Sequence, residues 1–220
     1  MYLFLKRVID ILIAIIALIL LSPILIPCSF ILLFTGEKEV FYLQKRVGFK
    51  NKLFNIWKFA TMQKNSPNIG TGDITLRNDP RVTAIGSFLR RSKINELPQI
   101  INVLNGTMSI VGPRPLMPVS FKNYSPDIQE KIYNVKPGMT GIGSLIFRDE
   151  EALVSAQKGD PLTFYKNYIF PFKAEVEMWY QKNASILTDI KIIFLTAWSI
   201  IFPKNKLTNT FFKDLPVRNF

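Results

Sequence analysis

Histidine is missing from all 220 residues, and cysteine occurs once. Without an imidazole there is no histidine general base, no Ser-His pair and no histidine metal ligand. A single thiol, Cys28, excludes an internal disulfide and a thiolate zinc cluster. It lies inside an apolar run and reads as a small hydrophobe. Acidic side chains are scarce as well: 16 Asp and Glu face 28 Lys and Arg, a formal charge of +12. Acid–base or metal chemistry therefore falls to carboxylates, lysines, arginines and the backbone. So large a basic surplus asks for an anionic partner: nucleic acid, an anionic membrane surface or a phosphorylated substrate. The strongly apolar N-terminus and the lack of a recognisable nucleic-acid-binding module argue against the first, so no nucleic-acid partner is expected.

What the chain does have is apolar residues, 48% of the total, enough to build a real core in one domain. Ile11 to Leu21 reads ILIAIIALILL; Ser22-Pro23 follows, and ILIPCSFILLF runs on to Phe34. Each half covers only about half of a ~30 Å hydrocarbon core. Resumption of the apolar run argues against a cleaved signal peptide. Pro23 has no N–H to offer the carbonyl of Ile19 and Pro27 adds a second break, so the segment reads as a kinked spanning helix or a re-entrant hairpin. Lys6 and Arg7 precede it; Lys38, Lys45 and Arg46 follow it. Basic flanks on both sides favour the re-entrant reading, with both ends cytoplasmic. Ile186 to Phe202 forms a second apolar stretch, interrupted by Asp189 and Lys191. With Trp179 and Trp198 nearby it reads as a helix lying in the interface, the alternative being a core helix.

Between these segments, 41–59 reads as short strands in a hairpin punctuated by Gly48. Residues 65–73 read as a loop, 82–104 as helix around Pro98, 112–118 and 136–143 as stiff and glycine-rich loops, and 149–157 and 163–181 as helices. After Pro203 the tail is polar and basic and should be loosely ordered. The expected architecture is α+β, mainly helical. One domain covers 1–203, with a membrane re-entrant helix over 1–36 and a small soluble part with short strands, and a basic tail covers 204–220.

Leu89 to Pro115 (LRRSKINELPQIINVLNGTMSIVGPRP) concentrates the residues that could carry chemistry. Arg114 stands between two prolines that stiffen its backbone, so its planar guanidinium suits bidentate phosphate recognition; a turn residue in a surface ion pair is the plainer reading. Arg90, Arg91 and Lys93 cluster beside Glu96, which otherwise read as a solvated helix face and a carboxylate favouring a helix start.

Several further motifs accompany this run: K-R-x-x-D (Lys6, Arg7, Asp10), Ser22-Pro23, Q-x-R-V-G (Gln44 to Gly48), K-F-x-T-M (Lys58 to Met62) and D-P-R-V-T (Asp79 to Thr83). With E-L-P-Q, M-S-I-V-G-P-R-P and K-P-G-M-T-G they resemble the bacterial sugar-transferase family, the monotopic polyprenyl-phosphate phosphoglycosyl transferases, in a minimal form. The resemblance runs from about Phe4 to Phe202. It implies an enzyme of the bacterial inner membrane with its site on the cytoplasmic face. A UDP-sugar would give its sugar 1-phosphate to undecaprenyl phosphate, beginning exopolysaccharide, O-antigen, capsule or glycoprotein glycan assembly. Membrane lipids are implied partners, with a homodimer left open. The family's Asp-Glu dyad works with Mg²⁺, the Asp forming a covalent phosphosugar intermediate. The Glu is Glu96, the expected Mg²⁺ ligand, but the Asp is replaced by Asn95, and an amide cannot serve as that nucleophile. Three readings follow: direct transfer, Glu96 as nucleophile, or a non-catalytic binding or scaffold protein. Arg114 joins Glu96 and Asn95 as a catalytic candidate; Lys58, Arg81, Arg90 and Arg114 are the implied phosphate ligands, and Ser22 and Pro23 the membrane motif. Ala60 stands where the family usually has Arg, and residues 142–151 also depart from its pattern.

Overall fold

The computed structural model describes residues 1–66, 79–148, 150, 153, 161–202 and 207–220. Its longest element is a helix, α1 (Tyr2–Phe34), of 33 residues. At ~1.5 Å per residue that is about 50 Å, well beyond the ~30 Å of a hydrocarbon core. The expected break at Ser22-Pro23 does not interrupt it, for the helix runs through both Pro23 and Pro27. Ser22 supplies the local reason: its hydroxyl donates to the Ile19 carbonyl at 2.8 Å, the acceptor that Pro23 leaves without a partner.

One stripe of α1 packs against the rest of the molecule along most of its length. Ala14, Ala17, Leu18 and Leu21 pack with Ile56, Ile100, Val103 and Met108. Further on, Leu25, Cys28 and Leu32 pack against Phe59 and Leu89. Polar contacts fix the start of the helix. Arg7 donates to the Val103 and Leu104 carbonyls at 2.5 and 2.7 Å, and the Ile110 N–H donates to Asp10 at 3.0 Å. The opposite stripe, including Leu12, Ile16, Ile19, Leu20, Phe30 and Phe34, is bare.

β1 (Phe41–Val47) and β2 (Leu53–Phe59) form the expected antiparallel hairpin, with Phe41 opposite Phe59 and Val47 opposite Leu53. Gly48 does not supply its left-handed residues; Lys50 and Asn51 do, at φ 52° and 58°. The helical reading of 82–104 divides into three. α2 (Ala84–Arg91) starts where Thr83 Oγ1 accepts the Gly86 N–H at 3.0 Å. Lys93 then turns left-handed at φ 60°, and a 3₁₀ turn, Ile94–Gln99, leads into α3 (Ile100–Leu104). β3 (Ser109–Val111) pairs in parallel with β4 (Gly138–Thr140), and α4 (Pro118–Phe121) and α5 (Pro126–Lys131) lie between them in sequence. Gly138 is needed there: a Cβ would lie 2.1 Å from the Gly112 nitrogen.

The remaining helices are α6 (Ile142–Ile146), α7 (Pro161–Phe164), α8 (Phe170–Asn183), α9 (Ile186–Ile201) and α10 (Leu207–Phe211), with a π turn over Tyr165–Ile169 before α8. Ile192 and Leu195 of α9 join Val111, Ile142, Ile169, Val176 and Tyr180 in the largest core cluster. The outer face of α9 exposes Ile190, Phe194, Ile200 and Ile201. One side of this helix is therefore core and the other is bare and apolar. Trp179, expected at an interface, turns inward onto the Phe212 ring at 5.2 Å.

Far from being loose, the described part of the tail is packed. Phe212 and Leu215 are core residues, and the Phe220 ring meets those of Phe164 and Phe172, both at 5.7 Å. Apolar residues spaced among the basic ones do this, and composition averages them away. The expected loop over 65–73 and helix over 149–157 fall mostly outside the described residues.

Candidate active site

The hairpin, the segment that follows it and the turn after α2 enclose a cleft of about 290 Å³. Its floor comes from the end of β2, where Lys58 and Phe59 lie beside Thr61 and Met62. Its far wall is the tight turn carrying Asn95 and Glu96, entered through left-handed Lys93. Such a conformation costs energy in a residue other than glycine and is held only where the surroundings demand it.

Glu96 is the anion at the centre. Its Oε1 accepts from Lys58 Nζ at 3.1 Å and from the Arg114 guanidinium at 3.2 Å. Burial works to raise its pKa, but Arg114 and Lys58 outweigh it and hold the carboxyl at about 2. Lys58 moves the other way from a lysine's usual value, down to about 8. Burial dominates; attraction to Glu96 opposes it, and repulsion from Arg46 and Arg114 adds to it. A single anion thus serves several cations and stays ionised.

Arg46 belongs to the same group. Its guanidinium donates to Gln44 at 2.6 Å and to the Pro115 carbonyl at 3.3 Å. Nε is buried with no hydrogen-bond partner among the described residues. Burial, with Arg114 next, lowers its pKa to about 10. Sequence reasoning took Arg46 as a membrane flank, although the Q-x-R-V-G motif marks it. Arg90 lines the cleft and donates to Thr61 Oγ1 at 2.8 Å. Among the described residues five cations line the space, Arg46, Lys58, Lys64, Arg90 and Lys93, against two carboxylates, Glu39 and Glu96. Lys64 and Glu39 pair with each other at 2.7 Å, out in solvent.

The other expected site residues divide. Asn95 faces the cleft, 8% exposed, and its Oδ1 is buried without a hydrogen-bond partner among the described residues. Arg114 stands at the edge with half its side chain in solvent, held through Glu96. Arg81 is not brought to the cleft. Its guanidinium grips Asp79 at 2.6 Å and donates to the Ser66 carbonyl at 2.8 Å, with only 4% of the side chain exposed. Ser22 and Pro23 lie on α1, outside the cleft.

A cleft of this size with cations converging from a strand, a helix end and a Pro-flanked loop can neutralise a diphosphate. An oxygen-ligated cation also fits its chemistry: one ionised carboxylate, an unpartnered amide oxygen next in sequence, and room for substrate oxygens. No group of three or more carboxylate, Cys or His side chains that could cage a metal occurs among the described residues, so such a cation would depend on the substrate's own oxygens.

Comparison with known proteins gives a consistent result. The model of the family described as bacterial sugar transferase matches residues 1–203. An Escherichia coli protein named UDP-glucose:undecaprenyl-phosphate glucose-1-phosphate transferase is 37% identical over 196 residues, covering 88% of this chain and 39% of that protein. The Salmonella typhimurium undecaprenyl-phosphate galactose phosphotransferase is 34% identical over 208 residues, covering 88% and 40%. The Sinorhizobium fredii exopolysaccharide production protein ExoY is 31% identical over 205 residues, covering 87% of this chain and 83% of its own length. The chain spans about two fifths of the length of the first two, and most of the third.

Proposed function

We propose, for a chain that belongs to the bacterial sugar transferase family, that it moves a sugar 1-phosphate from a UDP-sugar to undecaprenyl phosphate. The observation that carries this is Glu96, gripped by Lys58 and Arg114 in a cationic cleft of the body against which an apolar helix lies. One substrate is a water-soluble diphosphate and the other a lipid phosphate, and the molecule offers a surface for each.

Arg46, Lys58, Arg90 and Arg114 bind the diphosphate and absorb its charge as it redistributes. Because Asn95 cannot act as a carboxylate nucleophile, transfer is direct. An oxygen of the lipid phosphate attacks the sugar-linked phosphorus, the bond from that phosphorus to the bridging oxygen breaks, and UMP leaves with the bond's electrons. Mg²⁺, when bound, would be held by Glu96 and the Asn95 amide oxygen together with donor oxygens, and would supply charge neutralisation at the diphosphate.

The membrane arrangement follows the same reading. Near its start α1 holds the Val103 and Leu104 carbonyls through Arg7; near its end Leu32 packs on Phe59 and Leu89. Both ends thus meet one body, which supports a helix seated on one side of the membrane with both flanks in the cytoplasm. The bare stripes of α1 and α9 face the lipid of the inner membrane. Cysteines placed near Lys6 and near Lys38 should label only from the cytoplasmic side; labelling of either from outside sinks this arrangement.

The enzymatic test is purified protein with undecaprenyl phosphate and a panel of UDP-sugars, scored for UMP release. Asn95 favours one second reading, a relative that binds donor without turning it over. Donor binding without UMP release from any sugar nucleotide selects it.

A further inference from the structure

The two faces of the β1–β2 hairpin carry their aromatic rings in different circumstances. On one face Phe41 lies against Trp57 and Phe59, at ring distances of 5.3 and 5.6 Å. Phe59 closes that face against Leu32 and Leu89. Tyr42, the next residue, belongs to the other face, because successive side chains alternate across a strand. That face is the cleft's. Tyr42, Gln44 and Arg46 line the cleft from β1, and Lys58, directly opposite Tyr42 in the register, lines it from β2. Tyr42 is 41% exposed, whereas Phe59, the other aromatic residue of the lining, is 2% exposed. Of the seven tyrosines, Tyr42 alone has neither a ring contact nor a hydrogen bond among the described residues.

Its place along the cleft decides what the ring can meet. Directly opposed residues of an antiparallel pair have Cβ atoms about 5 Å apart, so Tyr42 stands beside the root of Lys58. The tip of Lys58 reaches Glu96 at 3.1 Å. The ring therefore stands one lysine side chain away from the reaction centre. On the donor-cleft reading above, the sugar-linked phosphorus lies beside Asn95 and Glu96, and the sugar is bonded to it directly. The second phosphate and the ribose separate that phosphorus from the nucleobase. A flat ring set back by the length of a lysine suits the base and not the sugar.

We propose that Tyr42 is the stacking platform for the donor's nucleobase. This rests on the donor-cleft reading and adds to it the group that recognises the nucleoside. The cations of the cleft hold a diphosphate whatever it carries. An aromatic ring adds attraction to a base through its π face, and loses little entropy because it has only two side-chain torsions. The platform thus fixes the nucleoside end of the donor and is indifferent to the sugar.

The test is equilibrium binding of UMP, which has the base and a phosphate but no sugar, together with kcat and KM for two UDP-sugars, all in the full chain. Tyr42→Phe keeps the π face and should bind UMP within about twofold of the wild type. Tyr42→Ala should weaken UMP about 10- to 100-fold, the range set by the loss of one base–aromatic stack. It should raise KM for both UDP-sugars by the same factor with kcat little changed, as the loss of uniform binding requires. Its melting temperature should hold, because the ring has no partner to lose. Inorganic pyrophosphate, which carries no base, should bind the Ala variant and the wild type alike. Lys58→Met, which removes a phosphate ligand, should weaken UMP and pyrophosphate together. Equal UMP affinity in Tyr42→Ala and the wild type, with Lys58→Met weakened, overturns the platform and leaves the cleft reading standing. A KM rise confined to one UDP-sugar, with UMP binding unchanged, puts the ring under the sugar and overturns the platform too. UMP binding untouched by Lys58→Met sinks the donor-cleft reading itself, as does a wild type that binds no UMP.

Discussion

Around Asp189 the donors and the acceptors balance. Lys6 approaches Oδ2 at 2.6 Å, Tyr2 shares that oxygen at 3.0 Å, and Tyr180 takes Oδ1 at 2.7 Å. Around Glu96 they do not: Lys58 and Arg114 crowd one oxygen, with Arg46 close behind. The first carboxylate, 9% exposed at its side chain, ties α1 to α9 and is closed in by three donors. The second, 27% exposed, leaves surplus positive charge facing a cleft. Both sites are a carboxylate with a lysine, and an ion-pair inventory would count them alike. Balance marks the structural pair and imbalance marks the place where a further anion belongs.

Exchanging charge at each site should break the comparison in different ways. The largest effect is expected from Glu96→Gln, which should abolish UMP release, a loss beyond about 10³-fold. Its melting temperature should fall as well, because Lys58, 15% exposed at its side chain, loses its counter-charge, so the distinguishing readout is turnover by the folded protein. Chelation of divalent cations should silence the wild type equally and restore on Mg²⁺ addition. A Glu96→Gln enzyme with normal turnover would remove the centre from the proposed site.

Asp189→Asn should lower stability alone. It leaves Lys6 largely buried beside a neutral amide, a fault on the order of 3 kcal/mol. Melting should fall clearly while the donor KM of the folded protein stays unchanged. A shift in donor KM with stability intact would mean that Asp189 communicates with the cleft.

Arg81→Ala sharpens the distinction further, because the D-P-R-V-T motif suggests a phosphate ligand and the fold makes Arg81 a buried partner of Asp79. A lower melting temperature with unchanged donor KM is expected. A raised KM at unchanged stability would return Arg81 to substrate binding.

Much of this was legible in the residues. The hairpin followed from mixed aromatic, β-branched and basic residues punctuated by Gly48, and the long N-terminal helix from its apolar run. Lys58, Arg90, Asn95 and Glu96 were marked by motifs, and the fold gathers them around one cleft. What escaped depends on three-dimensional neighbours. Ser22 heals the Ile19 carbonyl, so Pro23 bounds no helix. Phe212, Leu215 and Phe220 are few among polar residues, but each finds an aromatic or aliphatic partner. Arg46 and Arg81 are both motif arginines. Only the presence of Asp79 beside one, and of Arg114 beside the other, separates an ion pair from a ligand site.

Asn95→Asp is expected to change the steady-state rate least and the order of events most. Asn95 sits 8% exposed with its amide oxygen unpartnered, so an aspartate of nearly the same shape fits the space. Its charge would meet a cationic neighbourhood, with Lys58 and Arg46 both held below their usual pKa values, first by burial and then by neighbouring arginines. The substitution therefore should not unfold the turn. If transfer in the wild type is direct, UMP appears only when both substrates are present, because the attacking oxygen belongs to the lipid phosphate. The aspartate variant gains an oxygen nucleophile of its own and should release UMP from the donor alone, leaving a phosphosugar on residue 95, with kcat within about tenfold of the wild type once lipid is added. Rapid-quench measurement of UMP with the lipid omitted separates the two orders. UMP release by the wild type without lipid, with a phosphosugar adduct on Glu96, would make Glu96 the nucleophile and end the direct scheme. An inactive wild type beside an active Asn95→Asp variant would mean that the cleft binds its donor in a chain that lost its chemistry with one carboxylate.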